Sequence, residues 1–334
     1  MGTPDTTLIR VYDCVSFFNE LDLLELRLQV LAAVVDRFII VEADRTHTNR
    51  PKPFYFEENR ARFAPFLDRI TYIKLTAADF PPFSGNAWVY ENIQRNAASR
   101  GLADCRPDDL LIVTDLDEIP NPATIQQEKI RSGIRCLRQK YYGFWLNNYC
   151  FSRPDWIHPK ILQYGDLAHE ISIPDEFYLH YGGLIPSENQ HTTLTKVRMS
   201  HFCHDWPIVP DGGWHFSSIG TVKKIAEKLV SYAHREFSSA EYTDLKKLER
   251  RLYAGKDMAN LPERNYVVVP LDDSFPEYLH RPPYLDRVRP YHFTTGIKNG
   301  LIRIRFWLFW KYCGLRGRWQ RWKKRGAGMA SPEE

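Results

Sequence analysis

The sequence predicts an α/β fold: a mostly parallel sheet flanked by helices, with a helical extension at the C-terminal end. Three observations carry this. Short apolar, β-branched runs alternate with stretches of helical periodicity through the first two thirds of the chain. Those runs are hydrophobic almost throughout, as strands covered on both faces are. Two further helical stretches, 217–237 and 239–255, follow the last of them.

Taken in order, residues 8–18 (LIRVYDCVSFF) form the first predicted strand. A helix follows, with Leu21, Leu24, Leu28, Leu31 and Val35 at helical spacing and Asn19 as its N-cap. Acids in its first turn suit the helix dipole. Residues 37–43 are a second strand, 56–67 a short helix and 69–75 a third strand. Residues 88–102 are a helix ending near Gly101, and 110–115 a fourth strand. Asn121 and Pro122 then stand as N-cap and first residue of a helix reaching about residue 130. From 141 to about 216 the chain turns aromatic and rich in Pro and Gly, with short strands. This organisation predicts one domain over 1–255, in lobes 1–120 and 121–255, an irregular extension over 256–297 and a tail over 298–334.

A length of 334 residues at 43% hydrophobic supports a sizeable core and excludes a disordered chain. The net charge of +4 hides an asymmetry: residues 298–325 hold ten Lys or Arg and no acid, leaving 35 basic against 41 acidic residues elsewhere. A mildly acidic body argues against nucleic acid as a partner. The six cysteines are scattered with no CxxC pair, so a zinc knuckle is not expected and a reducing compartment is. The polar residues after Met1 predict no signal peptide, and no run of eighteen apolar residues predicts a spanning helix. A cytoplasmic location is the expectation.

The stretch LLIVTDLDEIP, 110–120, ends a buried strand in Asp115, Asp117 and Glu118. Ligands of open α/β sheets sit beyond the carboxyl ends of the strands. Two acids two residues apart in extended chain project to the same side, and held together they repel unless a cation lies between them. Oxygen donors suit Mg²⁺ or Mn²⁺, which share their remaining sites with phosphate and water. The strand is therefore expected to end in a metal and diphosphate site; the competing reading is that the acids cap the next helix in water. Arg95, followed by Asn96 on the preceding helix, is placed to reach a diphosphate, with a solvated helix charge as its alternative. Glu42, ending the second strand, is a candidate for a base or ribose hydroxyl, or a plain turn residue.

These segments together resemble glycosyltransferase family 17: FFNELDLLELRL, FIIVEADRTHTNRPKP, RNAASRGL, DDLLIVTDLDEIP, YYGFWLNNYC, GGWHFSSIG and KLVSYAHREF, spread over 8–237. The resemblance implies a GT-A-type Rossmann-like fold, a UDP-linked sugar donor, a divalent metal and inversion at the anomeric carbon. N-acetylglucosamine is the expected sugar, and a glycan or lipid-linked saccharide the expected acceptor, with a surface polysaccharide favoured because no membrane anchor precedes the domain. It further implies Asp117 as metal ligand, Asp115 as a ligand of metal or ribose, and His215 as the third ligand, with His234 as its rival. Asn19, Glu42, Arg95 and Asn96 complete the expected donor contacts. Asp211, ahead of a Gly pair thought to admit a ligand, is the expected base for the acceptor hydroxyl; Asp205 and Glu170 compete with it. Most of the YYGFW aromatics are expected in the core, and Asn147 and Asn148 to contact sugar.

Two other functions fit a strand ending in DxD: a phosphohydrolase with an aspartate nucleophile, and a non-catalytic carbohydrate-binding protein. Finally, residues 301–325 interleave Trp, Phe and Arg. That mixture predicts peripheral contact with anionic lipid on the inner leaflet, or a helix docked on the body with its cations outward.

Overall fold

A computed structural model describes residues 9–169, 171–172, 193–202, 204–232 and 237–327. The first two βα units are β1 (Val11–Phe17), α1 (Leu21–Leu31) and β2 (Arg37–Ala43), α2 (Tyr55–Glu58). β3 (Ile70–Leu75), α3 (Ala87–Ala97) and β4 (Leu110–Val113) follow, then β5 (Glu118–Pro120) and α4 (Pro122–Glu128). The second half holds β6 (Arg135–Gly143), β7 (Asn148–Cys150), β8 (Asp155–Trp156), β9 (Lys160–Gln163), α5 (Leu194–Met199) and β10 (Ile208–Ser217). It closes with α6 (Val222–Ser231), α7 (Ala240–Thr243), α8 (Leu245–Tyr253), β11 (Tyr266–Val268) and α9 (Phe293–Ala327).

All the strands share one sheet, whose main path runs β11-β7-β6-β9-β4-β1-β2-β3. β1 to β4 pair in parallel, in the order β3-β2-β1-β4, and β10 runs parallel to β6. β9 joins β4 antiparallel, and β5, β7, β8 and β11 are antiparallel as well. The α/β class and the Rossmann-like half are thus as expected; β7 and β8 return antiparallel to β6 over short connections that leave no room for a crossover helix.

The core shows why these runs are strands. Along β1, Val11, Val15 and Phe17 face α1, with its buried Leu24, Leu28 and Leu31. Tyr12 and Cys14 face the other way, toward Ala97 and Ala98 after α3 and Leu194 and Val197 of α5. Both faces are covered, which is why the strands lack polar alternation. A third cluster gathers Tyr141, Phe144, Ile225, Leu229, Leu248, Leu252 and Tyr266 under α6 and α8.

Several boundaries shift for local reasons. The N-cap of α1 is Glu20, not Asn19, and the helix ends at Leu31, where the amides of Val34 and Val35 both turn back to the Leu31 carbonyl. The predicted helix 56–67 divides into α2 and a 3₁₀ segment, Arg60–Arg69, that contains Pro65 and its missing N–H. Asn121 caps α4 as expected, its side chain accepting from the Ala123 amide, with Pro122 in the first turn.

The Gly212–Gly213 pair is explained by packing and not by ligand approach, which corrects its predicted role. The β10–β6 register slips between Val209 and Gly213, and Asp211 sits in that bulge at φ 50°. A Cβ at Gly213, φ +118°, would lie 2.2 Å from the Ile119 carbonyl oxygen, and one at Gly212 2.7 Å from the Arg138 amide nitrogen. Gly213→Ala is expected to cost about 3 kcal/mol, since it combines a left-handed φ with a backbone clash. A urea midpoint equal to wild type would contradict this.

Candidate active site

The site is built on a buried arginine. Arg27 of α1 is fully buried and pairs with Asp13 of β1 through two bonds, Nε to Oδ2 at 2.7 Å and Nη2 to Oδ1 at 2.6 Å. The same guanidinium donates to Thr114 Oγ1 and to the carbonyls of Asp115, Leu116 and Glu118. It therefore holds the 114–118 turn from beneath. The turn is closed from within as well: the Asp115 amide donates to Glu118 Oε2, and the Glu118 amide to the Asp115 carbonyl.

Because β4 ends at Val113, Asp115 and Asp117 lie on a turn and not on extended chain. The expected same-side projection fails for this reason, and the two acids take different partners. Asp115 is clamped by two arginines, Arg95 Nη2 on Oδ1 and Arg198 Nη2 on Oδ2, each at 2.9 Å. Burial opposes its ionisation, but Arg198 and Arg95 outweigh burial and hold the carboxyl well below the usual range. With both oxygens occupied, Asp115 does not present a free face to a metal, a correction to its predicted role as ligand.

Asp117 meets His215 and Lys228 instead. His215 Nε2 stands 3.5 Å from Asp117 Oδ1, and Lys228 Nζ 3.1 Å from Oδ2. The pairing follows from the sheet: β10 lies antiparallel to β5 with His215 opposite Glu118, and the Phe216 amide donates to the Asp117 carbonyl at 2.7 Å. Burial works against the Asp117 carboxylate, yet Lys228 and His215 pull its pKa far down. The imidazole is fixed by stacking, parallel to Tyr141 with centroids 4.8 Å apart and tilted on Trp156 at 4.4 Å. Its Nδ1 is buried without a hydrogen-bond partner. Glu118, fully buried, accepts from Trp156 Nε1 and Arg198, and burial pushes its pKa up against the pull of Arg198.

A carboxylate oxygen and an imidazole nitrogen at this separation fit a divalent ion that takes its remaining ligands from a diphosphate and water. The mixed set suits Mn²⁺ better than Mg²⁺. Among the described residues, no cluster of three His, Cys, Asp or Glu forms a closed metal cage.

Beside this pair lies an open cleft, at the carboxyl ends of β1 and β10. Asn19, Glu20, Ser218, Lys224, Lys228 and Arg287 are among the residues that line it. Lys228 joins the two regions, since it also lies 3.7 Å from Glu20. Ser218, held at φ 55°, is buried with its Oγ unpartnered.

Of the other predicted residues, Arg95 is in place but bonded to Glu91 as well as to Asp115. Asn96 accepts from the Thr195 amide and ties α3 to α5. Glu42 is fully buried, with its carboxylate taken up by Lys52, Tyr72 and the amides of Tyr55 and Phe56. These bonds make Glu42 an anchor for the 52–56 loop and leave it no face for a ribose. Asn147 and Asn148 donate to backbone carbonyls of Val269, Arg289 and Gly143, so their amides brace the fold and do not await a sugar. Asp211 is exposed at its bulge, four residues before His215 and roughly 13 Å along the strand at the usual rise. That placement sets it apart from the Asp117–His215 pair and does not support its assignment as base. Asp205 is exposed on the loop before β10, while Glu170 and His234 lie outside the described residues.

Sequence reasoning missed Arg27, Arg198, Lys228 and Trp156. Arg27 did leave a signal, a lone charge within an apolar helical stripe, matched by Asp13 in an apolar strand.

The sheet carries its cleft at the strand ends with an acid–histidine pair beside it. Residues 3–160, a little under half of the chain, match the family model described as glycosyltransferase family 17. Three relatives carry the name β-1,4-mannosyl-glycoprotein 4-β-N-acetylglucosaminyltransferase. The rat protein is 27% identical over 301 residues, covering 83% of this chain and 52% of its own length. The human and mouse proteins are each 26% identical over 298 residues, covering 83% of this chain and 53% and 52% of their own lengths. The chain thus spans about half the length of the curated relatives it matches.

One buried cation near the site gives a pH test. Lys160 of β9 is fully buried, its ammonium donating to the carbonyls of Ile157 and His158, and burial brings its pKa down to about 8. A lysine pKa lowered by folding costs stability at low pH; the cost fades as pH rises from about 8 toward the ordinary value near ~10.4. Wild type should therefore gain up to about 3 kcal/mol relative to Lys160→Met across that window. The check is the urea midpoint of both proteins against pH; a constant difference would refute the assignment.

Proposed function

We propose that the protein is a metal-dependent, inverting glycosyltransferase that moves N-acetylglucosamine from a UDP-linked donor to a hydroxyl of a glycan or lipid-linked saccharide. The observation that carries this reading is the convergence of Asp117, His215 and Lys228 beside the cleft at the strand ends. The names of the relatives support the sugar.

In this reading Asp117 Oδ1 and His215 Nε2 hold the divalent ion. When bound, the ion offsets the negative charge that builds on the leaving diphosphate. The protein's own groups do the rest. Lys228, Lys224 and Arg287 line the cleft with ammonium and guanidinium groups for the phosphate oxygens. The Asn19 amide and the buried Ser218 hydroxyl orient the donor by hydrogen bonding. Arg95 and Arg198 neutralise Asp115, so the turn is held without adding charge that would repel the donor. The acceptor oxygen attacks the anomeric carbon from the side opposite the diphosphate; the new C–O bond forms as the bond to the diphosphate oxygen breaks, the hydroxyl proton passes to water, and the configuration inverts.

The phosphohydrolase alternative needs an aspartate with a free nucleophilic oxygen. Arginines occupy both oxygens of Asp115, and Asp117 is the acid assigned to the ion. This disfavours that alternative.

The test is calorimetric titration with UDP-, GDP- and CMP-sugars, with and without Mn²⁺, on wild type and Asp117→Ala. One UDP-sugar should bind wild type only with the metal, and Asp117→Ala should lose more than about tenfold in affinity, or 1.4 kcal/mol. Equal binding by the variant, or binding indifferent to metal, would overturn the assignment.

A further inference from the structure

The last helix, α9, docks on the body by one stripe. The Asn299 side chain donates to the Val268 carbonyl at 2.6 Å and accepts from the Val268 amide at 3.3 Å. Ile302 is buried against Gly255, Arg305 donates to the Ala254 carbonyl, and Phe306 meets Phe151 edge-on at 5.3 Å. These positions recur every three or four residues and define the docked face.

A second stripe runs along the far side. Phe293 is 84% exposed, Ile297 53%, Leu301 63%, Ile304 56%, Leu308 53% and Tyr312 61%. Their spacing of four, four, three, four and four places all six within an arc of about 100° on an α-helix. The arc is turned well away from the docked face, and Trp307 borders it, 56% exposed, with the Lys311 ammonium 4.6 Å over its ring. A continuous apolar stripe of this length on a surface helix marks a contact with something else.

We propose that this stripe lies in the interface of an anionic lipid surface, with the basic side chains of the same helix on the headgroups. Charge selects this occupant. Residues 298–325 hold ten Lys or Arg and no acid. A second copy of the helix laid along the stripe would bring Lys311, at its edge, and the other cations of the helix near their own kind, with no acid on the helix to pair them. Anionic lipid supplies both an apolar layer and a plane of negative charge. Trp307, at the edge of the arc, suits the boundary between the two. The helix is not long and apolar enough to cross a membrane, so it lies in the surface. With the docked stripe on the far side, the body rests on top of the helix. This inference stands on α9 alone and is independent of the reading of the cleft.

The experiment is sedimentation of the full chain with vesicles of phosphatidylcholine alone, and of equal parts phosphatidylcholine and phosphatidylglycerol, at low and high salt. Wild type should pellet with the anionic vesicles, less so at high salt, and not with the neutral ones. The triple variant Leu301→Ser, Ile304→Ser, Leu308→Ser changes only exposed side chains, so its melting temperature should match wild type. Its vesicle affinity should fall about tenfold or more, because the apolar contact is removed while every charge remains. Equal vesicle binding by variant and wild type would overturn the proposal. So would a wild-type dimer in analytical ultracentrifugation that the triple variant abolishes, which would assign the stripe to a second copy.

Discussion

The buried pairing of Arg27 with Asp13 is the constraint on which the site depends. A buried ion pair is a weak source of net stability, because desolvation of both charges offsets their attraction. Its effect here is positional. The guanidinium reaches Asp13 on β1, Thr114 after β4 and three carbonyls of the following turn. Helix, strand and turn are tied through one planar fork, a geometry that an ammonium group cannot reproduce. Without it the chain after Val113 would have buried carbonyls to satisfy and no reason to hold one conformation.

From that platform the electrostatics of the site follow. Three acids within four residues would repel in a common environment, but the turn sends each to a different partner. Asp115 goes to Arg95 and Arg198, Asp117 to His215 and Lys228, and Glu118 inward to Trp156 and Arg198. The acids are balanced within the wall, so the cleft in front of them shows the lysines of α6 and Arg287. A cleft of that character, beside an oxygen–nitrogen donor pair, suits an anionic ligand that arrives with a cation.

Much of the fold was legible because its signals are local. Mostly apolar runs marked β1 to β4, and Asn121–Pro122 marked the start of α4 through capping chemistry that acts over a few residues. Asp117 and His215, read together from motif order, do stand side by side. The remainder was set by contacts distant in sequence. Arg198 meets Asp115 across 83 residues and Lys228 meets Asp117 across 111, and no periodicity announces either. Treating the chain after Val113 as extended misplaced Asp115, because the carbonyl grip of Arg27 makes it a turn. Reading Gly212 and Gly213 as ligand-facing misplaced Asp211, because those glycines serve the close passage of β10 between β5 and β6.

The most direct test of this account is donor binding by Arg27→Lys. Lysine keeps the charge beside Asp13 but cannot reach six acceptors at once. The account predicts a protein that folds, melts at a lower temperature, and binds its nucleotide-sugar donor about tenfold or more weakly, since the turn bearing Asp117 is released. A folded Arg27→Lys protein with undiminished donor affinity would contradict it, and would show that the turn holds its shape without the guanidinium.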